Sequence, residues 1–445
     1  MTTFSDLNIN KPLINALNDI GFFTPTPIQE EAFSTIMSGK DVLGIAQTGT
    51  GKTFAYLLPC LRQWTFTGSG NPQIMILVPT RELVIQVVEE VEKLTKYMNV
   101  VVKGVYGGVN INTQSEYVYS GMDVVVATPG RLYDLVLKGV IKLKSIKKLV
   151  VDEVDEMLNL GFRHQLTSIF DLLPAKRQNI LFSATMTKEI SILIKSYFND
   201  PIKIQIAETG TPLDNISQKG FLVPNFNTKL NLLDLILSEP EMKKVLVFAS
   251  TKKIADKLFA RIDENFPTES GIIHSNKAQN NRFKTVKHFH EGDYRILIAT
   301  DVLSRGMDIS DISHVINFDM PDFPEDYMHR IGRTGRAEKE GIAITFILEK
   351  DAEVHSNIEK LMGIKIPIID LPENLIISKI LTADEKPKTN MKNIVVKKAK
   401  DESAGAAFHE KIDKNKKVNN KIRRKEKMNN KYGKPISRGI KKSNR

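Results

Sequence analysis

From Ile74 to Tyr197, short runs that are apolar at nearly every position alternate with segments of helical period. Ile74 to Val78 precedes Arg81 to Lys96, Val124 to Ala127 precedes Arg131 to Lys138, Lys148 to Asp152 stands between, and Ile180 to Phe182 precedes Lys188 to Tyr197. A strand that is apolar on both faces needs cover on both, and intervening helices supply it, so the pattern restricts this stretch to a parallel sheet of α/β type. The rhythm breaks at Ala207-Glu208-Thr209-Gly210-Thr211-Pro212, a polar stretch that reads as a linker. It resumes with Lys244 to Phe248, Lys252 to Asn265, Gly271 to Ile273, Arg295 to Ala299, His314 to Phe318 and Gly341 to Leu348, a second open α/β domain. After about Leu371 the periodicity fades. The expected division is therefore a first domain over 1–206, a linker over 207–216, a second domain over 217–370 and a tail over 371–445.

A length of 445 residues fits two domains of ordinary size and something extra. The apolar runs are about seven residues at most, far short of the roughly 20 that cross a bilayer, and the first residues carry no basic or apolar leader pattern. One cysteine, Cys60, can form neither an internal disulfide nor a metal cage, so a reducing cytoplasmic setting is expected. The formal charge of +11 is unevenly placed: Lys386 to Arg445 holds 21 Lys and Arg against 5 Asp and Glu, and the remaining 42 basic and 47 acidic residues leave −5 before it. Such a tail buries too little apolar surface to offset its ordering entropy and is expected to be disordered when free. Its simplest use is as an electrostatic tether for a polyanion, although a merely solubilising extension has the same composition.

Ala46-Gln47-Thr48-Gly49-Thr50-Gly51-Lys52-Thr53 follows one apolar run and opens a helical one. In that setting the glycines let backbone N–H groups converge on a phosphate, Lys52 adds a positive charge, and Thr53 offers a hydroxyl to Mg2+. The helix behind presents its positive end to the same anion. The strand Leu149-Val150-Val151 runs into Asp152-Glu153-Val154-Asp155, where Asp152 would hold the ion and Glu153 would orient or deprotonate a water. Read alone, the same acids serve equally well as first-turn charges of the next helix. In the second domain His329-Arg330-Ile331-Gly332-Arg333-Thr334-Gly335-Arg336 interleaves arginines with small residues. If the domains close, Arg333 and Arg336 reach the γ-phosphate as fingers, worth about a thousandfold or more in rate, roughly 4 kcal/mol.

These residues carry a resemblance to the DEAD-box RNA helicases, running from Phe4 to about Leu361 with the motifs in that family's order. Gly21-Phe22-Phe23-Thr24-Pro25-Thr26-Pro27-Ile28-Gln29 resembles the Q motif, which implies Phe22 and Gln29 at the adenine, the Gln29 amide matching its edge. Phe4 matches the isolated upstream aromatic that stacks on the base; an aromatic packing the N-terminal arm would look the same. Further matches are Pro79-Thr80-Arg81-Glu82-Leu83, Gly107-Gly108, Thr128-Pro129-Gly130-Arg131, Ser183-Ala184-Thr185, Ala299-Thr300-Asp301 and Arg305-Gly306-Met307-Asp308. By resemblance, Arg81, Gly108, Thr128 and Arg131 contact the RNA backbone in the first domain, and Arg282 and Thr300 in the second. Asp308 contacts the ATP ribose, while Ser183 and Thr185 bond to Asp155 and His329 across the cleft.

The chain departs from that pattern at Val154, where the family has Ala, and at Ser275-Asn276, where Gly and an acid are common. The resemblance implies two RecA-like domains in tandem and an ATP-dependent RNA helicase that uses Mg2+, closes on ATP and single strand together, and locally separates short duplexes. It is to bacterial members with basic tails, which implies ribosomal-precursor or RNA-decay assemblies as partners. A DNA-translocating helicase and a non-catalytic RNA clamp are the competing readings; Gln29 argues against the first and Glu153 against the second.

Overall fold

Strands whose central members are buried along nearly their whole length organise the chain, and they fall into two sheets. The structure is a computed structural model that describes residues 3–46, 50–205, 215–277, 279–301, 312–335, 340–382 and 385–386. Of the linker expected over 207–216, residues 207–214 lie outside those residues, as does the tail beyond 386, while Ile216 already opens the first strand of the second lobe. In the first lobe the strands are β1 (Val42–Ile45), β2 (Ile74–Leu77), β3 (Val102–Val105), β4 (Val124–Ala127), β5 (Lys148–Val151), β6 (Gln178–Ser183) and β7 (Ile202–Gln205), all parallel and ordered β3-β4-β2-β5-β6-β1-β7. The second lobe has β8 (Ile216–Leu222), β9 (Val245–Phe248), β10 (Ser270–Ile273), β11 (Ile296–Ala299), β12 (His314–Asn317), β13 (Gly341–Ile347) and β14 (Ile368–Ile369), ordered β10-β11-β9-β12-β13-β8-β14. Subtracting seven from each of those numbers reproduces the order of the first sheet. The two lobes share one topology, which no repeat in the sequence announces.

Each sheet is covered on both faces because its strands alternate between two cores. Val124, Val126 and Val150 point into one cluster with Leu13, Tyr56, Leu57 and Val87. Val125, Ala127, Leu149 and Val151 point into the other with Leu132, Met157, Leu166 and Ile190. Each fully buried Val or Leu contributes about 1.5–3 kcal/mol, so these clusters hold the sheet flat against its helices. Val154 lies fully buried in the second cluster, so the two extra methyls of its departure from Ala are accommodated by packing.

Helices follow the strands directly, and polar residues start them. After β1 comes α3 (Lys52–Arg62), preceded by α1 (Lys11–Asp19) and α2 (Pro27–Met37); after β2 comes α4 (Arg81–Leu94). Thr80 caps α4 by accepting from the Leu83 N–H at 3.3 Å. The remaining helices of the first lobe are α5 (Ile111–Tyr119), α6 (Pro129–Leu137), α7 (Val154–Asn159), α8 (Arg163–Leu172) and α9 (Lys188–Tyr197). The second lobe contributes α10 (Phe226–Leu237), α11 (Lys252–Asn265) and α12 (Gln279–Glu291), then helices over Pro324–Ile331 and Ala352–Met362. Among the described residues no helix is long and apolar enough to cross a membrane.

The chain does not become a loose tail at Leu371. Leu371 and Leu375 pack against the second-lobe core, and residues 376–382 and Glu385 lie along the start of α10. Asn225, Asn227 and Asn231 donate through their side chains to the carbonyls of Ser378, Ile380 and Ile376 at 2.6, 2.7 and 2.7 Å. The Phe226 N–H donates to Glu385 at 2.6 Å. Asparagines at the cap and along one side of α10 turn a segment without periodicity into a docked strap.

Candidate functional site

The carboxyl ends of β1, β5 and β6 meet at one cleft, the position where open parallel sheets bind ligands. Gly51 takes a left-handed conformation, φ 89°, and a Cβ there would lie 2.4 Å from the Gln29 amide nitrogen. The phosphate loop is clipped at that point: Gln29 Nε2 donates to the Gly51 carbonyl at 3.1 Å and Thr26 Oγ1 to the Thr50 carbonyl at 3.0 Å. The Thr26 N–H in turn donates to Gln29 Oε1 at 3.0 Å. These bonds leave Gln29 one N–H and one lone pair, the pair that an adenine edge requires. Of the remaining cradle calls, Ala46, Thr50, Lys52 and Thr53 are described, while Gln47, Thr48 and Gly49 lie outside the described residues, as do Asp308 and Arg336.

Lys52 is 6% exposed, and its buried Nζ has no hydrogen-bond partner among the described residues. Its charge acts on the neighbouring Asp152 and Glu153 carboxyls, and a buried ammonium with unused donors suits a further anion such as a phosphate. Beside it, Asp152 accepts from the Glu153 N–H at 3.0 Å. Burial raises the Asp152 carboxyl above the usual range, opposed by the Lys52 charge. Burial pushes Glu153 up to about 7, again against Lys52. Glu153 also has φ 53°, a left-handed conformation rare for a side chain of its size and worth about 1–3 kcal/mol of local strain. Asp155 is the organiser: its carboxylate accepts from the N–H groups of Ala184 and Thr185 at 3.0 Å and from the Thr185 hydroxyl at 3.1 Å.

Two residues sit differently from the resemblance. The Ser183 hydroxyl donates to the Thr185 carbonyl at 2.7 Å, so the tie to Asp155 runs through Thr185. Phe4 is 3% exposed within the core of the first lobe, its N–H donating to the Phe23 carbonyl. It offers no open face to a base there. Phe22 and Phe23 are the exposed rings, and the centroid of Phe22 lies 5.2 Å from that of Phe54.

The second lobe contributes to the same cleft. Lys52, Glu153, Asp155, Glu156 and Ala184 line it with His329 and Arg333, and the Arg333 charge opposes the rise of the Glu153 carboxyl. Arg330, from the same run, has another role. It is 2% exposed, grips Asp301 through Nε and Nη2 at 2.5 and 2.7 Å, and lies over the Phe248 ring at 5.0 Å. One arginine of the motif is therefore an anchor for the loop that carries the others.

A second groove, about 520 Å³ in volume, is lined by Arg81, Gly108, Thr128 and Arg131 of the first lobe and Arg282 of the second. Thr300, the sixth backbone candidate, lies buried at the end of β11. Gly108 has φ 81°, and a Cβ there would strike the Arg81 guanidinium at 2.2 Å. Arg131 is aimed by Gln114 at 2.6 Å and the Val109 carbonyl at 2.8 Å. Arg282 forms an ion pair with Glu82 across the lobes at 2.9 Å, both side chains nearly buried. Leu160, Phe162, Ser275 and Lys277 also line this groove and were missed in the sequence. Gly161-Phe162, which ends the helical run after Asp155, was the available signal for the aromatic.

Two family descriptions match the chain: DEAD/DEAH box helicase over residues 26–193 and helicase conserved C-terminal domain over residues 228–338. The ATP-dependent RNA helicase RhlB of Pseudomonas syringae pv. tomato is 38% identical over 384 residues, spanning 84% of this chain and 96% of the relative. The DEAD-box ATP-dependent RNA helicase CshA of Bacillus cereus is 37% identical over 372 residues, spanning 84% of this chain and 70% of the relative. Among solved structures, S. cerevisiae Dbp5 bound to RNA and ADP BeF3 is similar at TM-score 0.75 and 29% identity, over 83% of this chain and 96% of that one.

Proposed function

This chain belongs to the DEAD/DEAH box helicases and is a DEAD-box ATP-dependent RNA helicase with two tandem RecA-like domains; from that premise we propose that ATP hydrolysis in the cleft is coupled to closure of the two lobes on an RNA strand. The observation that carries this is the makeup of the cleft, in which the unpartnered Lys52 ammonium and Glu153 of one lobe face Arg333 of the other. Lys52 and the cradle N–H groups hold the phosphates. Glu153, poised near neutrality by burial, takes a proton from the attacking water as the new P–O bond forms and the bond to the leaving ADP breaks. Arg333, joined by Arg336, brings positive charge to the γ-phosphate only when the lobes meet. His329 lies beside Ala184 in that cleft, so the Ser183-Ala184-Thr185 segment tied to Asp155 reports the nucleotide to the second lobe.

The donor set also fits Mg2+: Thr53 at the helix start and the Asp152 carboxylate would hold it next to the phosphates that Lys52 awaits. When bound, the ion neutralises phosphate charge. Phe22 and Gln29 take the adenine, with Phe4 supporting the arm beneath, and Asp308 takes the ribose. Arg81, Gly108, Thr128, Arg131, Arg282 and Thr300 hold the RNA backbone without reading bases. The enzyme acts in the cytoplasm on structured RNA of ribosomal-precursor or RNA-decay assemblies.

Glu153→Gln tests the assignment. The variant is expected to lose ATP turnover by at least a hundredfold while retaining RNA in an ATP-dependent complex, measured by steady-state phosphate release and filter binding. Turnover and unwinding that persist in this variant would remove Glu153 from its role.

A further inference from the structure

A second concavity lies at the opposite end of the first-lobe sheet, where β1, β5 and β6 begin. It has a volume of about 1260 Å³ and is lined by Lys40, Lys147, Lys176 and Arg177 together with Asp41 and Asp200. Lys40, Lys147 and Arg177 stand within two residues of the first residues of β1, β5 and β6, whereas Lys52 and Asp152 follow the last residues of β1 and β5. Strands of four to six residues at about 3.3 Å per residue separate the two ends, so this concavity is not part of the ATP cleft.

Its charge is unbalanced. Asp41 is buried and accepts from the Asn179 N–H, the Asn179 amide and the Asn199 N–H at 2.7, 2.9 and 2.8 Å. Asp200 is the remaining acid of the lining. The stretch 138–148 leading into β5 contains five lysines and no acid, although the chain before the tail is net negative. Of the lining itself, Lys40, Lys147 and Lys176 are exposed.

The concavity is also built. Arg177 is fixed by the Asn179 side chain at 2.8 Å and the Pro174 carbonyl at 2.7 Å. Its guanidinium lies 5.8 Å over the Phe170 ring, which stacks on Tyr197 with centroids 4.7 Å apart and planes at 23°. A rigid guanidinium on an aromatic floor, ringed by mobile ammonium groups, is the chemistry that takes a base and its neighbouring phosphates.

We propose that this face of the first lobe is a second RNA-binding site, which holds the single strand or duplex flanking the segment gripped in the groove between the lobes. It extends the footprint of the enzyme on long RNA and contributes nothing to a short oligonucleotide. The ligand is the phosphodiester chain of RNA, and the inference rests on the reading that RNA is the polyanion this chain engages.

The test uses the full chain carrying Lys40→Glu, Lys147→Glu and Lys176→Glu, three exposed lysines of the lining, with a triple Lys→Arg variant that keeps the charge. A 40-nucleotide RNA is expected to bind the Glu variant about tenfold more weakly at 0.1 M salt, with the slope of log affinity against log salt shallower by about 2. A 10-nucleotide RNA should stimulate ATP turnover in it at an unchanged half-saturating concentration, and the Arg variant should bind both as the parent does. RNA carrying 4-thiouridine outside the gripped segment should crosslink to residues 138–148 or 174–179. Equal affinity of parent and Glu variant for the long RNA overturns the proposal, as does an equal loss for both lengths. Absence of crosslinks there also overturns it, as does an acidic peptide occupying this face that RNA fails to displace. Loss of short-oligonucleotide stimulation in the parent would instead count against the helicase reading itself.

Discussion

Single side chains of the cleft show how burial prepares chemistry before any ligand arrives. Lys52 and Glu153 are each held in a state that a phosphate and a water would relieve, one as an unpartnered cation and one as a carboxyl raised to about 7. Tyr56 is a third such group. It is fully buried one helical turn beyond Thr53, its ring 5.8 Å from Phe182, and its hydroxyl faces Asp152 and Thr53 without the geometry of a well-formed hydrogen bond to either. Burial, and then the Asp152 charge, raise its pKa well above the usual phenol. Leaving a buried hydroxyl unsatisfied costs about 1–3 kcal/mol. Tyr56→Phe is therefore expected to melt no lower than the parent, and up to a few degrees higher, in calorimetry without nucleotide. A fall of several degrees would mean that the hydroxyl has a partner that matters.

At the scale of elements, the central strands and the helices that follow them were legible because their signals are local. The helix over Lys252–Asn265 and the strand over Val124–Ala127 have the bounds that periodicity predicts. Strand β3 was missed because Lys103 and Gly104 interrupt its apolar run; Lys103 is nonetheless buried, its ammonium donating to the Tyr117 carbonyl at 2.5 Å. Edge strand β7 was missed because one of its four residues is buried. The strap after Leu371 escaped notice for a related reason, since its partners are asparagine side chains on α10, and no period records them. Ending the chain at Leu371 removes these bonds, a loss of about 2–3 kcal/mol, or roughly 4–10 °C in the melting of the second lobe. Ending it at Lys386 should leave that transition in place. Calorimetry of the two truncations decides, and equal melting temperatures would show that the strap stabilises nothing.

For the molecule as a whole, the groove proposed to hold RNA exists only where the two lobes meet, and the Glu82–Arg282 pair marks the meeting. Removing one partner of a buried pair leaves a desolvated charge, so the effects of losing either are not independent. With donor and acceptor dyes on the two lobes, ATP analogue and RNA should close Glu82→Gln only at roughly tenfold higher RNA concentration than the parent. The double variant with Arg282→Gln should be no worse than Arg282→Gln alone. Losses that multiply would show that the two side chains act separately.

The sequence by itself determined the α/β class and named Lys52, Glu153, His329 and Arg333 of the cleft lining, because a glycine-rich loop, a carboxylate-ended strand and apolar runs are written in consecutive residues. It also placed Arg81, Gly108, Thr128, Arg131 and Arg282 among the RNA candidates, though nothing in their spacing joins them. Only the tertiary structure decided that these five line one groove, that Arg330 is an anchor, and that Phe4 belongs to the core. It alone brought Lys40, Lys147 and Arg177 to a common edge. Parallel crossovers carry residues a hundred positions apart to the same end of a sheet, and strand order, which the linear pattern does not encode, decides which of them become neighbours.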